Sequence, residues 1–170
     1  MNKLQHQLLK ARSSAWNLWL LNFGLWRMVP FNRPHRLRII AVDAETITIQ
    51  AKNIRPNRNH IGGIHACLLA TACEYVSGLS LLARLDPKQY RIILKSIGMT
   101  YHYQAKTDIS VRFTVTDEWF EKEVIQPLRS SGKIFKEVSV DAFDTEGNHI
   151  CTGKINWQIK SWEQVKTKPG

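Results

Sequence analysis

Apolar and polar residues change period several times along this chain, and each change marks an element. From Leu8 to Trp26 the apolar positions Leu8, Ala11, Ala15, Leu18, Trp19, Leu25 and Trp26 share one helical face, with Asn22 the one polar residue among them. Pro30 and Pro34 end the pattern, so one amphipathic helix is predicted within residues 1–34. Two-residue alternation then takes over in AETITIQA (44–51), in DISVRFTV (108–115), through Val138, Val140 and Ala142, and through Cys151, Ile155, Trp157 and Ile159. Each of these segments reads as a half-buried antiparallel strand. DTEGN (144–148) supplies a hairpin turn between the last two. Residues 91–105 add a long strand, with a bend predicted at Gly98. DEWFEKEVIQPL (117–128) predicts a short helix capped by Asp117, with SSGK as the loop after it.

A different pattern occupies the stretch from Ile61 to Ala83, which is apolar nearly all round and holds a single Asp, Glu, Lys or Arg, Glu74. It is long enough to span a bilayer. Gly62, Gly63, Thr71, Ser77, Gly78 and Ser80 dilute it, and amphipathic β-sequence follows instead of further spans, so it predicts a buried helix over 64–85. A sheet with one apolar face needs a cover, and this helix alone is apolar enough to be one. The expected fold is α+β: an antiparallel sheet wrapped around one long central helix in a single domain over 35–163. The N-terminal helix docks on that domain, and residues 164–170 form a polar tail.

Composition narrows the possibilities further. With 170 residues, 19.6 kDa and 44% hydrophobic content, the chain can bury one sizeable core. The 24 Lys and Arg against 14 Asp and Glu leave a formal charge of +10, which suits an anionic partner such as nucleic acid, a lipid surface or a phosphate-bearing group, or a plain solvated surface. No RNP-like or helix-turn-helix signature supports nucleic acid, so none is expected. Cys67, Cys73 and Cys151 show no CxxC spacing, which argues against a disulfide framework or zinc site and suits a reducing, cytoplasmic compartment. Residues 15–31 follow Lys3, Lys10 and Arg12 as a signal peptide would, but Asn17, Asn22 and Arg27 interrupt the run and no small-residue cleavage site follows. That helix therefore packs on the core or adheres weakly to a membrane surface through its tryptophans.

Candidate chemistry gathers at the start of the central helix, in Asn59-His60-Ile61-Gly62-Gly63-Ile64-His65-Ala66. The glycines let the backbone turn sharply and approach a ligand. The first helical turn presents unpaired N–H groups that can hold a developing oxyanion. Glu74, nine residues after His65, would be costly to bury ionised and alone, so it is either tied to an Arg or a solvent edge, or it works. His65 and Cys67 lie two apart and face different ways, so a thiol nucleophile is not expected. There is no GxSxG elbow, and the six histidines form no HxxxH pair, so no metal site is expected. His60 and His102 read as polar loop and strand residues.

Asn59, His65 six positions on and Glu74 nine further resemble the pattern of the PaaI-type hotdog-fold acyl-CoA thioesterases, and most nearly a domain-of-unknown-function branch of that superfamily. The resemblance covers roughly residues 35–160, including MTYHYQAKTDI (99–109) as the strand after the helix and GKIFKEVSVDAFDTEGNHICTGKINWQIK (132–160) as the closing hairpin. It implies a homodimer or dimer of dimers, its sheets joined edge to edge, with acyl-CoA or another acyl thioester at the interface and no cofactor beyond the substrate's own coenzyme A. Glu74 would be nucleophile or general base, the amides around Gly63, His65 and Ala66 would polarise the carbonyl, and Asn59 would orient the nucleophile. Arg58, Lys95 and Lys106 are nominated for the coenzyme phosphates. Many relatives have His-Gly-Gly where this chain has His65-Ala66-Cys67, and Asp where it has Glu74. The alternative is a hotdog domain that binds an acyl group or acyl-CoA without turnover.

Overall fold

The alternating segments form six antiparallel strands in the computed structural model, which describes residues 2–165. They are β1 (Arg38–Val42), β2 (Thr46–Ala51), β3 (Tyr90–Tyr101), β4 (Ile109–Thr114), β5 (Lys133–Asp144) and β6 (His149–Ser161), ordered across the sheet as β1-β2-β4-β5-β6-β3. The helices are α1 (Lys3–Arg12), α2 (Ala15–Met28), α3 (Asn32–His35), α4 (Ala66–Arg84), α5 (Asp117–Phe120) and α6 (Gln126–Ser131). Ile47 and Ile49 of β2, Val111 of β4, Val140 of β5 and Ile155 and Ile159 of β6 turn one face of the sheet into the core, and α4 lies against it, touching β2 through β6. Although α4 is long and apolar enough to cross a bilayer, most of it is buried inside the protein. The central-helix architecture is thus the one the patterning predicts.

The N-terminal segment departs from a single helix. Ser14 Oγ accepts from the Asn17 N–H at 3.3 Å and caps a new helix, so the chain breaks at Ser13–Ser14 into α1 and α2. Ala15 and Trp19, placed on the buried face by the continuous pattern, end up exposed. α2 stops at Met28 ahead of Pro30, while Pro34 sits inside the short α3. Asn22, the polar exception, proves to be a strand mimic: its Nδ2 donates to the Ile39 carbonyl at 2.9 Å and its Oδ1 accepts from the Ile39 N–H at 2.7 Å. One side chain thereby pairs both outward-pointing backbone groups of a β1 residue and pins α2 to that edge.

Two further expectations are corrected. The irregularity in β3 falls at Lys95, because Leu94 pairs with Trp157 and Ser96 with the next residue, Asn156, leaving Lys95 as a bulge; Gly98 stays in register with Lys154. The helix predicted from Asp117 is capped by Thr116, whose Oγ1 accepts from the Trp119 N–H at 3.1 Å, and Asp117 instead sits in the first turn near the positive dipole end. That helix runs through a π turn (Glu121–Ile125) into α6 and ends at Gly132 with φ 67°, so most of the expected SSGK loop is helix end. Of the tail expected over 164–170, Gln164 belongs to a 3₁₀ turn (Trp162–Gln164) and residues 166–170 lie outside the described residues.

Candidate active site

Glu74 projects from the least buried face of α4 into a chamber of about 1170 Å³. Ala70, Thr71, Gly78 and Leu82 share that wall. Leu4 of α1 and Leu21 and Leu25 of α2 form a second, and Ile92, Leu94 and Ile97 of β3 a third. Trp157 completes the lining. Its indole N–H donates to Ser77 Oγ at 3.2 Å, and its ring lies where a Cβ on residue 78 would come within 2.8 Å, so only glycine admits it beside Glu74. Lys3 and Arg27 also reach the chamber, adding cations to walls that are otherwise mainly hydrocarbon.

The Glu74 carboxylate makes no hydrogen bond or ion pair among the described residues, which removes the reading that an Arg neutralises it. Burial alone pushes its pKa above the ordinary 4.5. Tyr75 beside it is buried too, and its phenol is pushed up to about 12, so it stays neutral. The thiol of Cys73 is held protonated by a hydrogen bond with Cys151 and by burial, while Cys67 is exposed at the first turn of α4.

The other nominated residues lie elsewhere. Asn59 Oδ1 accepts from the N–H groups of Ile61 and Gly63, both at 3.1 Å, and so shapes the turn in which Gly62 takes φ 81°. The Gly63 amide is therefore occupied. His65 is exposed and caps α4, its Nδ1 accepting from the Cys67 N–H at 3.1 Å. This leaves the Ala66 N–H without an acceptor among the described residues, at the positive end of the helix dipole. Ala66 precedes Glu74 by eight residues, about 12 Å along the axis, and His65, nine residues before it, projects from nearly the opposite side. A single subunit thus does not bring Asn59, His65 or Ala66 to the carboxylate. Arg58 and Lys106 are linked only through Asn53: Arg58 Nε donates to Asn53 Oδ1 at 2.6 Å, and Asn53 Nδ2 donates to the Lys106 backbone carbonyl at 2.5 Å. Lys95 sits on the β3 bulge, six residues and about 20 Å from the strand's end at Tyr101. His60 is an exposed loop residue, and the His102 ring lies 4.3 Å from that of His149. Gly78, Trp157, Lys3 and Arg27 were missed by sequence reasoning. Gly78 could have been found, since it stands one turn after Glu74 on the same helix face.

A family model described as a domain of unknown function, DUF4442, matches residues 18–159, from early in α2 to near the end of β6. The chain belongs to the DUF4442 family. The match begins within α2, one of the helices that wall the chamber. No curated protein matches the chain. Among solved structures, one similar to this DUF4442 protein is a Pseudomonas aeruginosa protein of unknown function, named a probable thioesterase, at 21% identity and TM-score 0.73 over 80% of this chain and 90% of that one. Another, of unknown function from Chlorobaculum tepidum, has 14% identity and TM-score 0.68 over 82% and 91% of the two chains. A thioesterase from Haemophilus influenzae has 9% identity and TM-score 0.61 over 81% and 87%. At such identities the likeness establishes the fold, which is the hotdog.

Proposed function

We propose that this DUF4442 protein hydrolyses acyl thioesters, with Glu74 as the catalytic carboxylate. The observation that carries the reading is an unpartnered carboxylate in the wall of a large apolar chamber, where a hydrocarbon chain can lie with its thioester at Glu74. Acting as base, Glu74 takes a proton from water, the resulting hydroxide adds to the carbonyl carbon, and the C–S bond breaks as the thiolate receives the proton. Acting as nucleophile, its oxygen adds to the carbonyl carbon and the C–S bond breaks with departure of the thiolate; water then opens the anhydride to the carboxylic acid and free Glu74, its released proton going to the thiolate. The raised pKa makes it a stronger base once ionised. Similar folds that carry thioesterase names support the same class.

The reading extends to a cytoplasmic homodimer acting on acyl-CoA in the PaaI manner. β3 is a twelve-residue strand at the sheet edge, and Ile93, Leu94 and Ile97 on it are exposed, so it is suited to pairing with a second copy. In that arrangement the second copy brings the start of its own α4, with the free Ala66 amide, to the carbonyl. Arg58 and Lys106 supply positive charge for coenzyme phosphates.

The test is a panel of acyl-CoA chain lengths with thiol release followed by a thiol reagent. Glu74→Gln should lower kcat by at least about 10²-fold while acyl-CoA binding persists; near-full activity in that variant refutes the assignment. A second reading, binding without turnover, is favoured by one observation: the free Ala66 amide is about 12 Å from Glu74 of its own chain. Wild-type protein that binds acyl-CoA and hydrolyses none of the panel would establish it.

A further inference from the structure

α2 packs chiefly against α1, and against β1, and leaves one face uncovered. On the uncovered side Trp16, Trp19, Leu20 and Phe23 are 66%, 54%, 42% and 48% exposed. They fall at i, i+3, i+4 and i+7, with the Trp16 and Trp19 rings stacked at 5.0 Å and Trp19 and Phe23 at 5.8 Å. Met28 at the end of the helix and Phe31 beyond it, 79% and 63% exposed, extend the surface. Large aromatic side chains gathered in water mark an interaction surface.

The charges around it say what kind. No Asp or Glu precedes Asp43, whereas Lys3, Lys10, Arg12, Arg27, Arg33, Arg36 and Arg38 all do, so seven of the ten net positive charges belong to the first 42 residues. Aromatic rings flanked by cations, with no anion among them, match the boundary of an anionic bilayer: the rings enter between headgroups and acyl chains while the cations face phosphates. The same surface is ill suited to a second copy of itself, because two such faces would bring like charges together. It also runs into the chamber. Leu20, Met28 and Phe31 belong both to the exposed surface and to the chamber lining, and Lys3 and Arg27 line the chamber as well.

We propose that the outer face of α2 docks on an anionic lipid bilayer, with the helix lying in the plane of the interface and the mouth of the chamber turned toward the lipid. The docking is independent of any chemistry at Glu74. The full chain is mixed with vesicles of phosphatidylcholine alone, or with an equal amount of phosphatidylglycerol, and sedimented. Partition onto the mixed vesicles should exceed that onto the neutral ones by at least about tenfold and should fall as salt is raised. Trp16→Ser/Trp19→Ser/Phe23→Ser and Lys10→Glu/Arg12→Glu alter only exposed side chains, so circular dichroism should be unchanged while each variant loses at least about tenfold in partition. Glu74→Gln should bind vesicles as wild type does, which separates this proposal from the hydrolytic one. Wild type remaining in the supernatant with anionic vesicles would overturn it, as would an aromatic triple variant that pellets normally. Loss of self-association in the triple variant, with no lipid binding by wild type, would assign the face to contact between copies and likewise overturn it.

Discussion

Burial raises the proton affinity of Glu74 in the folded chain and not in the unfolded one. Between the unfolded pKa near 4.5 and the higher folded value the native state binds more protons, so stability is lost as pH rises through that window. Glu74→Gln stays neutral throughout. It is expected to melt at a higher temperature than wild type above the window and at about the same temperature below pH 4.5, as differential scanning calorimetry would show. Catalysis runs the other way: wild-type activity should rise with pH along an acidic limb centred above 4.5, and the residual activity of Glu74→Gln should lack that limb. Ala66→Pro removes the α4 amide that has no acceptor among the described residues. Proline is tolerated at the first helical position, and His65 already has ψ 137°, a conformation that suits the residue before proline, so the fold should survive. If this N–H stabilises the oxyanion, kcat should drop by about 10²–10³-fold with little change in melting temperature. Glu74 itself was legible in the sequence, because one charge in an otherwise uncharged helix stands out. The engagement of Gly63 by Asn59 was not, since either residue type is equally at home in a turn that leaves its amides free.

Among the elements, strand alternation was read correctly wherever one face is buried, and boundaries failed where a side chain intervened. Ser14 interrupts a helical pattern whose apolar spacing continues across it, so periodicity alone could not place the break between α1 and α2. In β3 an exposed edge strand is weakly patterned, and the bulge at Lys95 leaves no sequence mark comparable to the glycine three residues later. Asn22 was visible as a polar residue on an apolar face, but its partner is a backbone unit seventeen residues away that no pattern announces. Asn22→Ala would leave the buried Ile39 N–H and carbonyl unpaired, and should cost roughly 1–3 kcal/mol in denaturant unfolding.

For the molecule as a whole, the fold could be deduced because a two-period sheet and one fully apolar helix admit few arrangements. The chamber could not. A void depends on how α1, α2 and β3 stand off from α4, and apolar residues that line a cavity have the same pattern as those that fill a core. The proposed pairing through β3 is equally a property of the assembled sheet. Ile93→Lys with Ile97→Lys puts charge on the exposed β3 side chains that also line the chamber, and should convert the proposed dimer to a monomer in light scattering while leaving strand content intact. A variant that stays dimeric would place the contact elsewhere.

Asn22 also bears on how large an assembly can become. A sheet with both margins available can add copies indefinitely, each new subunit offering a fresh margin to the next, as fibrils do. Here the β1 margin carries its own side-chain stopper, and the twelve-residue β3 margin is the one left to recruit. In the proposed pairing, joining two such subunits would consume both available margins at once, so growth by strand addition would terminate at a pair.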